Sequence, residues 1–177
     1  MIQRKQTIFL FLAVCALALC FIFPIASFEG KAPLGVPVTG ELNMISKDVP
    51  ETMSQILNGE PVEIGQRGFV KTWPLVALTI VSALIALVSI FLFKNRVLQM
   101  RVVAVGFLLG VVDLFLIFIW AVDAFVDQAT RAMSCTDVHV TYGVSTWAII
   151  AAVVLMFLAQ RYIKKDEEKV RAADRLR

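Results

Sequence analysis

The chain has 177 residues, of which 59% are hydrophobic and 18% charged, and its mean hydropathy is +0.79. Soluble domains run nearer ~45–50% apolar and ~25% charged, so a water-soluble globular domain is excluded, and so is a disordered chain. The length holds several membrane spans and one modest external loop, but not a large transporter with paired repeats in one chain.

A spanning helix needs ~20 mostly apolar residues, and four stretches qualify. The first covers 8–26. Its basic leader, Arg4 and Lys5, and its small-residue end, Ala26 and Ser27, imitate a signal peptide. Signal cores are ~7–15 residues long and this one is longer, so a retained helix is expected. Cys15 and Cys20 follow Val14 and Leu19 rather than a small residue, so lipidation is not expected.

The outer loop over 27–72 carries Pro33, Pro37, Pro50 and Pro61 and six glycines, which break long helices. Apolar runs at 36–39 and 61–64 predict a small β-hairpin or sheet, and 50–57 a helical turn or two. The loop is too short to bury its own core, so it reads as a structural cap or, more sharply, as a recognition surface.

The second span covers 73–93, and a short inner turn over 93–101 ties it to the third as an antiparallel pair. The third span, 102–126, carries Asp113. A second outer loop over 127–142 holds Cys135 and the lone His139. With Asp137 these supply too few ligands for a firm metal site, and no fixed Cys–His nucleophile pair. The fourth span covers 143–162, and its helix is predicted to continue through a cytoplasmic tail over 163–177. There Glu167 and Arg171 make an i, i+4 pair. Interspersed acids argue against strong nucleic-acid binding.

Lys and Arg set orientation. Arg4, Lys5, Lys94, Arg96, Arg101, Arg161, Lys164, Lys165, Lys169, Arg171, Arg175 and Arg177 lie on one side. Lys31, Lys47, Arg67, Lys71 and Arg131 lie on the other, with most of the acids. Both termini are therefore expected inside. Lys94, Arg96, Arg101, Lys164, Lys165, Arg171 and Arg175 are expected to meet lipid headgroups or a partner.

Three cysteines without C-x-x-C, only one of them external, nearly exclude a membrane thiol oxidoreductase. No span carries a histidine, which excludes bis-histidine haem. No cofactor or metal is expected.

Asp113 lies roughly 16 Å past Val102 at 1.5 Å per residue, near mid-membrane. A central Asp costs ~2.5–3.5 kcal/mol on insertion scales, so it should face protein or water and stay neutral. Gly106 and Gly110 share its face and admit a close neighbour; Ile117, Trp120 and Ala124 continue it. Gly106, Gly110, Asp113 and Trp120 are thus the candidate packing or partner interface. The leading reading pairs Asp113 with Ser82 or Ser89. An inter-subunit contact and a proton or cation relay stand behind it.

The opening MIQRKQT, the FPIASF that ends the first span, the inner turn IFLFKNRVLQ and the ending LAQRYIKKDE with DRLR resemble a small Bacteroidota membrane family of unknown function with four spans. The resemblance covers the whole chain, most weakly in the first loop and third span. It implies a bacterial inner-membrane location and no activity.

The expected fold is an all-α membrane protein: a four-transmembrane-helix bundle, one domain, with a long outer loop after the first helix. The expected function is non-enzymatic, as an accessory or scaffold subunit of a larger inner-membrane assembly such as a translocation or secretion complex. Its partners would be lipids and other integral membrane proteins, with a homo-oligomer also open. The alternatives are a small oligomeric proton or cation channel using Asp113, and a lipid-modifying enzyme using outer-loop acids with His139.

Overall fold

A computed structural model describes residues 3–31, 37–45, 62–64, 72–133 and 136–175. In chain order the helices are α1 (Gln3–Leu19), α2 (Trp73–Phe91), α3 (Arg96–Leu116), α4 (Val122–Met133) and α5 (Val144–Arg175). The strands are β1 (Ala26–Lys31), β2 (Pro37–Leu42), β3 (Val62–Ile64) and β4 (Thr136–Tyr142). The chain divides into two compact units. One holds 1–19, 77–113 and 148–177; the other holds 20–76 and 114–147.

In the first unit, four helices bury residues at alternating three- and four-residue steps. These are Gln6, Leu10, Ala13 and Leu17 on α1; Thr79, Ser82, Ala86 and Ser89 on α2; Gln99, Val103, Gly106, Gly110 and Asp113 on α3; and Ile149, Ala152, Met156, Ala159 and Ile163 on α5. A repeat averaging 3.5 residues is the seam of left-handed helix packing. The seams are rich in Ala, Ser, Thr and Gly, while Leu84, Val88, Phe91, Leu108 and Phe115 are exposed. That inversion is what a bilayer selects. Lipid tails are as apolar as leucine, so small residues mark the contacts and large ones face outward. Phe107 packs on Phe157 at 5.9 Å, and Phe9 stacks on Tyr162 at 5.3 Å.

Three helices are long and apolar enough to cross a membrane, within Trp73–Phe91, Arg96–Asp127 and Val144–Val170; the apolar part of α1, Gln6–Leu19, is shorter. The expected span over 8–26 is corrected at its end. Helix α1 stops at Leu19, and Ala26 already begins β1. Pro24 lacks the N–H that would continue the helix and biases Phe23 away from the α region. Hydropathy runs smoothly past that break because both sides of it are apolar.

The α2–α3 connection is a single 3₁₀ turn (Leu92–Lys94), after which Asn95 caps α3 by accepting from the Leu98 N–H at 3.3 Å. Helix α5 continues as one 32-residue helix to Arg175, as the Gly- and Pro-free tail sequence predicts.

The second unit contains a four-stranded sheet in the order β3-β2-β1-β4. Strands β1 and β2 form an antiparallel hairpin, with Phe28 opposite Gly40; the runs expected to pair, 36–39 and 61–64, fall on β2 and β3 instead. Strand β3 adds in parallel, with Thr39 opposite Glu63. Strand β4 comes from the loop over 127–142 and pairs antiparallel with β1, with Phe28 opposite Val140 and Glu29 opposite His139. The sheet therefore joins the segments on both sides of α2 and α3 in sequence, which a hairpin confined to 27–72 would not. Its signal was present in the β-branched, alternating run Thr136–Tyr142. Phe28 is buried edge-on against Phe125 at 6.4 Å. The helical turns expected over 50–57 and Cys135 lie outside the described residues.

Candidate functional site

Asp113 is fully buried, and it is joined to α2 rather than exposed for another subunit. Its Oδ2 accepts a hydrogen bond from the Thr79 hydroxyl at 2.6 Å. The expected partners, Ser82 and Ser89, are committed elsewhere. Ser82 donates to the Gly106 carbonyl at 3.2 Å. Ser89 donates back to the Ile85 carbonyl of its own helix at 2.7 Å. Thr79, Ser82 and Ser89 share one seam, so sequence spacing cannot choose among them; the antiparallel register of α2 on α3 does, by setting Thr79 beside Asp113. Asp113 Oδ1 is buried without a hydrogen-bond partner among the described residues.

Gly106 and Gly110 stand on the same face, as expected, and both are tightly enclosed. A Cβ on Gly106 would lie 3.0 Å from Ile85 Cγ2 and 3.4 Å from Met156 Sδ. One on Gly110 would lie 2.8 Å from Val153 Cγ2. The two glycines let α3 approach both α2 and α5, and that close approach brings the Thr79 hydroxyl within reach of the carboxyl.

Straight α-periodicity places Trp120 on the Asp113 face, whereas within the chain it is 39% exposed. Residues Ile117–Ala121 form a π-helical turn. Ile117 is buried as expected, and the wider turn delays the seam beyond it by one residue, so Ala121, Val122 and Phe125 follow. A π-turn comes from one extra residue in the ladder, and hydropathy has no signature for it in a helix that is apolar on all sides.

Two buried amides also escaped the sequence reading. Gln99 is buried on α3 and donates through Nε2 to the Ser89 carbonyl at 2.9 Å, clamping the α2–α3 turn. Gln6 donates to the Asp166 carboxylate, joining the start of α1 to the end part of α5. An amide recurring at a seam position of an otherwise apolar helix is the signal that could have found them.

In the second unit, the end of α1 is fastened to the start of α5. The Ser145 hydroxyl donates to the carbonyls of Cys20 and Phe23. The Thr146 hydroxyl donates to the Ile25 carbonyl at 2.8 Å, and the Gly143 N–H donates to the same oxygen at 2.7 Å. These donors satisfy carbonyls that a terminating helix and its turn leave open. Cys20 is buried and Cys15 exposed, so the two thiols face different ways, as their five-residue spacing implied.

Of the candidate cations, Arg101, Lys164 and Lys165 are exposed and Arg96 is half-buried. The side chains of Lys94, Arg171 and Arg175 lie outside the described residues, and so does the Glu167–Arg171 pair. His139 is exposed on β4 opposite Glu29. Asp127 instead pairs with Arg131 at 3.5 Å on the exposed face of α4, a contact of little energetic weight.

The chain belongs to a protein family described as a domain of unknown function (DUF4293), whose model matches residues 2–176. No curated protein matches it.

Proposed function

We propose that this is a non-enzymatic accessory or scaffold subunit of a larger bacterial inner-membrane assembly, with a protein-translocation or secretion complex as the partner class. The observation that carries the reading is strand β4. It ends the described sheet, and it carries the apolar Val140 and Tyr142 at 37% and 39% exposure. A strand at the edge of a sheet offers backbone donors and acceptors to a partner segment, and an apolar row beside them adds contact area. Helix α5 offers a second surface, because it continues past its apolar part with Lys164 and Lys165 exposed.

The proposed topology has four spans and cytoplasmic termini. It is supported by the bias of basic residues toward the α2–α3 turn and the α5 tail. It is also supported by the Gln6–Asp166 pair, which holds the beginning of α1 beside that tail. Trp73 and Trp147, 69% and 64% exposed, begin α2 and α5 near the sheet strands in sequence and suit an outer aromatic belt. Helix α1 completes the fourth span together with the turn over 20–25 that Ser145 and Thr146 hold.

The test places a photo-crosslinking residue at Val140 in the chromosomal copy and extracts the membranes in mild detergent. Crosslinks to a stoichiometric larger membrane protein, lost when the crosslinker is moved to the buried Phe28, are expected. A protein that purifies alone and crosslinks to nothing refutes the reading. Crosslinks only to itself make it a homo-oligomer instead. Reporter fusions at the C-terminus check the topology: a fluorescent protein should mature there and an alkaline phosphatase should stay inactive.

A further inference from the structure

We propose that Asp113 is a proton-binding site, taking up and releasing a proton inside the α2–α3 seam. This inference stands apart from the accessory-subunit reading and survives its failure. Three observations carry it. The carboxyl is fully buried in a helix long and apolar enough to cross a membrane. One of its oxygens holds the Thr79 hydroxyl at 2.6 Å, while the other is buried with no partner among the described residues. A π-turn starts four residues later, at Ile117, and such turns concentrate at functional positions.

A permanently ionised carboxylate does not suit this place. Two oxygens sharing a full charge call for several donors, and among the described residues one hydroxyl donates to them. The stretches Thr7–Leu19, Trp73–Phe91 and Val144–Gln160 contain no Asp, Glu, Lys, Arg or His, and Val102–Val122 contains only Asp113. The groups facing this seam from α2 are the hydroxyls of Thr79 and Ser82, and those from α5 are Val153 and Met156.

A metal cation does not suit it either. Hard cations gather about six oxygens, whereas the Ser82 hydroxyl and the Gly106 carbonyl are already joined to each other at 3.2 Å. One turn away, a single added carbon at Gly110 would come within 2.8 Å of Val153. A proton needs no such room. It neutralises the carboxyl, and it can be shared along the short contact to Thr79.

Buried polar groups are ordinarily satisfied by their neighbours, but Oδ1 has no partner among the described residues. Here one oxygen is left for a water or a proton arriving from one membrane face.

The test is an infrared pH titration of the full chain in liposomes, read at the carbonyl stretch of protonated carboxyl groups. The expected result is a band that is absent in Asp113→Asn, shifts in heavy water, and falls reversibly as pH rises, about tenfold per pH unit above its midpoint. Thr79→Val keeps the side-chain shape and removes the hydroxyl. It should move both the band frequency and the midpoint, and it carries the assignment even if Asp113→Asn does not accumulate. A band that persists unchanged into the alkaline range overturns the proposal, because the proton is then trapped. So does the lack of any Asp113 band at every pH. A band whose loss follows sodium concentration at constant pH makes the site one for a metal ion.

Discussion

Replacing Gly143 by alanine probes the junction of β4 and α5. The added Cβ would stand 2.2 Å from the Pro24 carbonyl oxygen and 2.9 Å from its carbon, whereas the closest ordinary carbon–oxygen contacts are about 3.3 Å. The obstacle is backbone, so the two segments must separate by roughly 1 Å. That separation acts on bonds already at their proper length. The Gly143 N–H donates to Ile25 at 2.7 Å, the Ser145 N–H to Pro24 at 3.2 Å, and the Thr146 hydroxyl to Ile25 at 2.8 Å. Overpacking costs about 1–3 kcal/mol, and each weakened hydrogen bond about 0.5–1.5 kcal/mol. With all three bonds lost the cost is about 2.5–7.5 kcal/mol, read by detergent-denaturant titration in mixed micelles. Gly106→Ala is the control, because the atoms its Cβ meets, Ile85 Cγ2 at 3.0 Å and Met156 Sδ at 3.4 Å, are side-chain atoms that can turn. It should cost about 1 kcal/mol, the low end of overpacking. Gly143→Ala within about 0.5 kcal/mol of wild type would refute the reasoning, since it would mean that the α1 exit does not press on Gly143.

Trp120→Ala separates the straight helix from the π-turn: a packed tryptophan would cost about 3–5 kcal/mol, whereas the exposed one should cost under about 1 kcal/mol in the same titration. Ser145→Ala strips the donor from two carbonyls and should lose about 1–3 kcal/mol, and Ser145→Thr should recover part of it if the hydroxyl keeps its aim. Gln99→Leu releases the clamp on the Ser89 carbonyl. It should cost about 1–2 kcal/mol and speed hydrogen exchange at the α2–α3 turn, leaving exchange in α1 unchanged.

Much of the architecture was legible because the bilayer imposes length and composition. The apolar runs around Trp73–Phe91 and Val144–Tyr162 locate α2 and α5 directly, and the short runs at 36–39 and 61–64 announce β2 and β3, though not β1. What hydropathy could not show is which side of each helix faces inward. In a soluble helix the buried face is the apolar one; here both faces are, and the information sits in the small and polar residues. On α2, Thr79, Ser82, Ala86 and Ser89 mark the seam. The end of α1 was obscured for the same reason: Phe21, Ile22 and Phe23 read as membrane although Pro24 has already closed the helix. Strand β4 was missed because its pairing partner lies more than a hundred residues earlier, and because His139 and Cys135 drew the reading toward chemistry rather than toward alternation.

The seam around Asp113 was half legible. Its spacing from Gly106 and Gly110 gives the buried face correctly, since all three precede the π-turn and obey ordinary helical periodicity. Trp120, three residues into that turn, does not. The same boundary explains why the hydroxyl partner had to come from structure. Small residues repeat along both seams, so matching small to small does not name the partner. The single 3₁₀ turn Leu92–Lys94 leaves α2 and α3 little room to slide, and three polar contacts hold the register it allows: Thr79 to Asp113, Ser82 to the Gly106 carbonyl, and Gln99 to the Ser89 carbonyl, all between the same two helices. A lone acid in an apolar helix thus has a structural use in holding one register, and the oxygen without a partner among the described residues is what remains once that use is served.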